Sequence, residues 1–347
     1  MVEGEIRRLG HTGRWVTLLL VAVALIAGLM TLPGIAPSRS SARHSTAAQS
    51  LTALHALNTG QIGPGGTIVP PSPYAQLVPA DAPKIYAGAA YLMDPKTGEV
   101  FYANNALKEA PMASTTKIMT ALVALTFGKP DQKITMGADA VAEQNGINSV
   151  AGVVKGDVLS LHDMLYALML PSGDDVAVAI ADGVAGSESK FVDLMNMEAA
   201  LLGLTHTHYT NVHGLDATGH YTTVGDLARI ARVAMNFPLF AQIVKTPTYS
   251  VTTPLHGTYT WHTTNELLTP LYAYQGATGV KTGYTLNAGY CLVFAATRNG
   301  STLIGALLGE RDDTGSQRFV DATALLNWGF AREQNISRWF NAIAGKH

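Results

Sequence analysis

Two apolar, strand-like runs, "KIYAGAAYLMD" and "EVFYANNA", flank the polar stretch "DPKTG", a pattern that predicts a β-hairpin. Asp94 and Pro95 start its turn, Gly98 supplies the left-handed backbone that ends it, and Lys96 faces water. The spacing of apolar positions then becomes helical, from Ser114, through the 160s and 170s, from Ser187 to Leu202, and over "TVGDLARIARVAMNF". Strand patterns return at "PTYSVTT", "YTWHTTN", "GVKTGYT", "YCLVFAAT" and "STLIGALLG", and a helix from about Ser316 to Phe330 closes the series. Strands at both ends with helices between them predict an α+β fold, in which one antiparallel sheet built from both ends of the chain is flanked by helices beside a mainly helical lobe.

The segment before Lys84 has a different composition. Arg7, Arg8 and Arg14 precede an uncharged apolar stretch from Trp15 to about Ala36. Cleaved export signals carry an apolar core of roughly 7 to 15 residues and a spanning helix needs about 20, so residues 1–36 read as a signal peptide or an N-terminal membrane anchor. Basic residues ahead of such a segment stay inside, which puts the rest of the chain outside the cytoplasmic membrane. Residues 37–83, with "GPGGTIVPPSP" at their centre, are too poor in large apolar side chains to build a core and read as a linker. The folded domain is expected over 84–330, followed by a helical tail over 331–347 in which Ile336, Trp339, Phe340 and Ile343 follow helical spacing.

With 347 residues, 47% of them hydrophobic, the chain can bury a substantial core. A formal net charge of −2 and no long basic run leave no electrostatic footprint for nucleic acid. The single cysteine, Cys291, cannot form an internal disulfide, and its apolar strand makes it a buried, inert thiol.

The candidate chemistry begins in "PMASTTKIMTALVALTFG". Ser114 and Lys117 lie about one turn apart on the same side of a helix start, and the uncharged run from Ile118 to Phe127 predicts a helix buried all round. Burial disfavours an ammonium, so Lys117 could take the proton of the neighbouring Ser114 hydroxyl. The competing reading is a helix-capping serine beside a lysine that reaches to solvent. Such a pair arises by chance about once in a chain of this size, and the second copy, Ser187 to Lys190, reads as an N-cap in polar surroundings. Ser172 sits between Pro171 and Gly173 where two helices meet, either pointing into a cleft or capping the second helix with Asp174 or Asp175. In "GVKTGYT" the strand glycine Gly283 marks close approach by another backbone, such as a peptide laid along a sheet edge. Lys281 and Thr282 there offer a positive charge and a hydroxyl to a carboxylate. The copy at Lys96 to Gly98 is the hairpin turn.

Ser-x-x-Lys, a second serine motif and Lys-Thr-Gly, in this order, form the set found in active-site serine β-lactamases and penicillin-binding proteins. Over roughly residues 84–330 the chain resembles the low-mass penicillin-binding proteins that act as serine-type D-alanyl-D-alanine carboxypeptidases, in "ASTTKIMTAL", "THYTNVHGLDATGHYTT", "GVKTGYTLNAGYCLV" and "LLNWGF" as well as in the motifs. The resemblance implies a β-lactamase/penicillin-binding-protein-like fold, a peptidoglycan stem peptide as substrate, β-lactams as inhibitors and no cofactor or metal. It also implies Ser114 as nucleophile, Lys117 as base and Ser172 as proton relay. Backbone N–H groups of Ser114 and Tyr284 would form the oxyanion hole, and Lys281, Thr282 and Gly283 would carry the substrate, with Arg318 near its carboxylate.

The family pattern has asparagine where this chain has Asp174. An ionised aspartate accepts hydrogen bonds but does not donate them, and a carboxylate near Lys117 favours the ammonium. An altered pH profile or substrate preference is therefore expected. Many members of the family carry a further β-rich domain after the catalytic one, and "AREQNISRWFNAIAGKH" is expected to be too short to form it. Two other readings stay open: a class A-like β-lactamase, although no Glu-x-x-Leu-Asn match supplies its water-activating glutamate, and a catalytically silent protein that binds cell-wall peptides or penicillin.

Overall fold

The computed structural model describes residues 75–145 and 148–344, with 335–344 described by backbone alone. The apolar segment 15–36, most of the expected linker, and the side chains of Ile336, Trp339, Phe340 and Ile343 lie outside the described residues.

The predicted hairpin forms from β1 (Ala89–Met93) and β2 (Val100–Asn104), paired antiparallel. Asp94 organises the turn, its Oδ1 accepting from the N–H of Lys96 at 2.6 Å and of Thr97 at 3.2 Å, and Gly98 takes φ +80°. A 3-10 turn, Ala113–Thr116, leads into α1 (Lys117–Phe127), buried from Lys117 through Ala124. A small sheet of β3 (Lys133–Thr135) and β4 (Val158–Ser160), with the short helix α2 (Ala138–Ala142) between them in sequence, precedes α3 (Leu161–Met169) and α4 (Asp174–Ala185). Helices α5 (Glu188–Leu201), α6 (Val224–Ala234) and α7 (Pro238–Val244) complete the lobe. Ser187 caps α5, its hydroxyl accepting from Lys190 N, so the second Ser-x-x-Lys is structural.

Strands β5 (Thr248–Thr253) and β6 (Gly257–His262) form a two-stranded sheet of their own rather than joining the main one. The main sheet adds β7 (Ala277–Thr285), β8 (Gly289–Arg298) and β9 (Ser301–Glu310), in the order β2-β1-β9-β8-β7, every pair antiparallel. Both ends of the chain thus build one sheet, as the order of apolar runs predicts. The last helix, α8 (Gln317–Ala344), extends well beyond the expected stop at Phe330.

Successive residues of a strand face opposite sides, and here both sides are covered. Tyr91, Met93, Val293, Ala295, Ile304 and Ala306 enter the core shared with the helical lobe, while Leu92, Leu292, Phe294, Leu303 and Leu307 pack with Phe319, Leu325 and Leu326 of α8. This explains why an antiparallel sheet presents unbroken apolar runs instead of alternating ones. Residues 75–83, placed in the linker by composition, contact the fold: Leu77 bridges Ala103, Ala82 packs against the α8 core, and Asp81 accepts from Trp328 Nε1 at 3.3 Å.

Candidate active site

Ser114 stands in the 3-10 turn whose first residue, Ala113, has φ +49°, a left-handed backbone rare for an L side chain. Side chains hold that conformation: Thr116 Oγ1 donates to Ala113 O at 2.9 Å and lies 2.8 Å from His220 Nε2, while Thr115 Oγ1 donates to Met112 O at 2.6 Å. His220 Nδ1 accepts from Thr210 N, so Nε2 carries the proton and donates to Thr116.

Lys117 is 0% exposed, and its Nζ lies 2.9 Å from Ser114 Oγ, 2.5 Å from Asp174 Oδ1 and 2.8 Å from His213 O. Three acceptors match the three donors of an ammonium. The same geometry serves a neutral amine, which would donate to Asp174 and His213 O and accept the Ser114 hydroxyl proton on its lone pair. Burial pulls the Lys117 pKa below that of a free lysine, against the opposing pull of the Asp174 charge and hydrogen bond. The capping alternative fails on both residues: the lysine is interior, and no side chain caps this helix start.

Ser172 is 5% exposed in a left-handed backbone, φ +69°, on the loop between α3 and α4. Its Oγ neither caps α4, whose N-cap is Gly173, nor has a hydrogen-bond partner among the described residues. A buried hydroxyl without a partner costs free energy unless something arrives to bond it, so the cleft reading of Ser172 is the one the geometry favours. Asp174 bonds Lys117 through Oδ1 and accepts from Ser149 N at 3.1 Å through Oδ2. Asp175 holds the adjoining segment, accepting from the N–H groups of Ala151 and Gly152. The two acids therefore fasten the 149–152 segment to the start of α4.

Across from Ser114 runs β7, an edge strand of the main sheet. Gly283 needs its missing side chain, though the neighbour differs from the expected one. A Cβ there would lie 3.0 Å from Ser114 N and Ala113 Cβ and 3.1 Å from Thr115 N, so the close backbone is the chain's own nucleophile turn. Lys281 is 1% exposed, with Nζ donating to Thr282 O at 2.9 Å; Thr282 Oγ1 lies 2.6 Å from Thr264 Oγ1. Burial, reinforced by the charges of Lys117 and Arg318, draws the Lys281 pKa well below its ordinary value. The positive charge expected at Lys281 is thus fully secured only when an anion joins it. Arg318 is half-buried, its guanidinium 4.8 Å from the ring centroids of both Tyr290 and Phe319, and its buried Nε lacks a partner among the described residues. Lys281 and Arg318 interact electrostatically, each positive charge disfavouring the other in the absence of an anion. Tyr284 is 50% exposed and stacks on Tyr290 at 4.3 Å.

Ser114, Lys117, Asp174 and Gly283 are thus brought together, with Ser172 buried on the adjoining loop and Lys281, Thr282, Tyr284 and Arg318 along the β7 side. Sequence reasoning missed His213, Ser149 and Thr264; two of these contribute through backbone atoms, which leave no mark in side-chain identity, and "NVHGLD" was legible only as family phrasing.

An interior lysine bonded to a serine at the mouth of an antiparallel sheet, with a Lys-Thr-Gly edge strand opposite, defines a serine acyl-transfer site of the β-lactamase and penicillin-binding-protein class. The D-alanyl-D-alanine carboxypeptidase family, peptidase S11, matches residues 76–312, and the chain belongs to it. The D-alanyl-D-alanine carboxypeptidase of Streptomyces sp. (strain K15) is 39% identical over 265 residues, covering 72% of this chain and 89% of that one. D-alanyl-D-alanine carboxypeptidase DacC of Escherichia coli (strain K12) is 35% identical over 272 residues, covering 75% of this chain; the match spans 65% of DacC. Among solved structures, the Streptomyces K15 DD-transpeptidase superposes with a TM-score of 0.67 at 38% identity, over 73% of this chain and 100% of that one.

Proposed function

We propose that the protein is an exported D-alanyl-D-alanine carboxypeptidase that removes the terminal D-alanine of peptidoglycan stem peptides and is acylated by penicillin. The observation that carries the reading is the 2.9 Å contact between the buried Lys117 amine and Ser114 Oγ. Neutral Lys117 accepts the hydroxyl proton as Ser114 Oγ bonds the carbonyl carbon of the penultimate D-alanine. The N–H groups of Ser114 and Tyr284 hold the resulting oxyanion, each worth about 3 to 4 kcal/mol in comparable sites. The proton passes to the leaving amine, with Ser172 as relay, and D-alanine departs as the C–N bond breaks. Water then attacks the ester and regenerates Ser114. Lys281, Thr282 and Arg318 anchor the substrate carboxylate while Gly283 lets the peptide's path along β7 meet the nucleophile. The 1–36 segment serves as export signal or membrane anchor, and the enzyme acts outside the cytoplasmic membrane on the cell wall.

The test is mass spectrometry after penicillin exposure, with peptide mapping, beside assay of D-alanine release from a D-Ala-D-Ala peptide. A stable adduct on Ser114, lost in Ser114→Ala together with about 10⁴-fold or more of the turnover, is expected. No adduct and no D-alanine release would make the protein a silent binder. Rapid penicillin hydrolysis would make it a β-lactamase.

A further inference from the structure

A cavity of about 320 Å³ opens beside the nucleophile turn, and Met112, Gly214, Asp216, Thr218, His220 and Asn287 are among its lining. None of the side chains assigned to the proton transfers or the carboxylate anchor lines it. Its position follows from the direction of β7. Lys281 and Thr282, the proposed carboxylate anchor, come first; Gly283 faces Ser114 N; then follow Tyr284, Thr285 and the turn that holds Asn287. A peptide with its terminal carboxylate at Lys281 and its scissile carbonyl at Ser114 continues toward Asn287, advancing about 3.3 Å per residue. Met112, the residue before the 3-10 turn, is also part of the lining.

The cavity has one sign of charge. Burial holds His220 down at about 4, so its imidazole is neutral near pH 7, and Asp216 is the only carboxylate or cation in the lining. Asp216 is exposed but fixed, accepting from Thr285 Oγ1 at 2.7 Å and from Asn287 N at 3.3 Å. Each bond uses one oxygen, and a carboxylate has about four lone-pair sites, so acceptor capacity is left over. Arg311, on the adjoining turn, donates to the carbonyls of Leu286 and Asn287 and is not part of the lining. Met112 and Ala217 add apolar wall for an aliphatic stem.

We propose that this cavity is the subsite for the side chain of the residue preceding the two D-alanines, and that Asp216 selects acyl donors carrying a free primary amine on that side chain. The proposal rests on the carboxypeptidase reading above. It makes Asp216 a specificity residue, remote from the bonds that change.

The experiment compares kcat/KM for two tripeptides, Nα-acetyl-L-lysyl-D-alanyl-D-alanine with its ε-amine free and the same peptide with that amine acetylated. In the parent protein the free amine should be favoured by about two- to fivefold, the range of solvent-exposed ion pairs, and added salt should shrink the ratio. Asp216→Asn should bring the ratio close to one. Asn287→Lys, which keeps the backbone N–H that bonds Asp216, should lower or invert it and carries the test if Asp216→Asn fails to fold. A parent ratio of one, or a ratio that survives in the variants, overturns the subsite while D-alanine release from both peptides leaves the catalytic reading intact. No release from either peptide and no penicillin adduct would remove that reading, and the subsite with it.

Discussion

The tripeptide Lys-Thr-Gly occurs twice in this chain, and the two copies share composition but little else. Lys96 to Gly98 lies in an exposed turn, where Asp94 supplies the hydrogen bonds and a Cβ on Gly98 would meet only the tip of Arg232, at 3.3 Å. Lys281 to Gly283 lies on a sheet edge, with an interior lysine, a threonine bonded across to Thr264, and a glycine pressed against the amides of the nucleophile turn. In the first copy the glycine is there for a dihedral angle. In the second it is there for space. The comparison teaches that a motif acquires chemistry from what is packed against it.

Parallel substitutions at the two copies sharpen that contrast. Gly283→Ala forces its methyl group into the amides of Ser114 and Thr115, and the penicillin acylation rate should fall by about 10² to 10³-fold, the size of losing an oxyanion-hole donor. Gly98→Ala should leave acylation unchanged and lower stability by about 1 kcal/mol, because its φ of +80° disfavours a side chain. Equal acylation rates in the two variants would break the comparison. Next in size, Lys281→Met should reduce kcat/KM for a D-Ala-D-Ala peptide by about 30-fold or more, since it removes one partner of a buried charge pair formed with the substrate. Lys96→Met should change neither turnover nor thermal stability beyond about 0.5 kcal/mol, as for other surface sites. Full activity in Lys281→Met would refute the carboxylate anchor.

The smallest effect concerns Asp174. In the proposed mechanism acylation requires neutral Lys117, and the Asp174 carboxylate favours the ammonium. Replacing it by asparagine removes the charge and hydrogen bond that raise the Lys117 pKa, so the acid limb of the acylation profile should move to lower pH. Stopped-flow acylation of the parent and the variant, followed as a function of pH, reads the shift directly. A limb that stays in place in Asp174→Asn would show that the carboxylate does not set the lysine's proton affinity.

Much of this was legible in the sequence because it is local. The β1–β2 turn is encoded by Asp94, Pro95 and Gly98, and the burial of α1 by an uncharged run. The three motifs were readable because each keeps a fixed spacing over three or four consecutive residues. What the sequence did not disclose is non-local. The strand glycine Gly283 signals a close backbone, but nothing in "GVKTGYT" says whether that backbone is a bound peptide or, as here, the turn at Ser114. His213 and Ser149 enter through a carbonyl and an amide, which every residue type possesses. Strands β5 and β6 have the apolar alternation of any half-buried strand, and only tertiary packing decides that they form a separate sheet. Residues 75–83 look like linker by composition, yet Leu77 and Ala82, with polar contacts from Gln76 and Asp81, lay them against the fold.

The sheet order, in which β1 pairs with β9 and Asp321 of α8 accepts from the backbone of Tyr86 and Ala87, has a consequence for biogenesis. Strand β1 finds β2 at once through the hairpin, but its other partner, β9, is made about 200 residues later, and such distant pairings form late. The nucleophile turn belongs to the early portion and the strand facing it to the late one. A nascent or truncated chain therefore carries its reactive serine without the apparatus to use it, and competence arrives as the final segment docks.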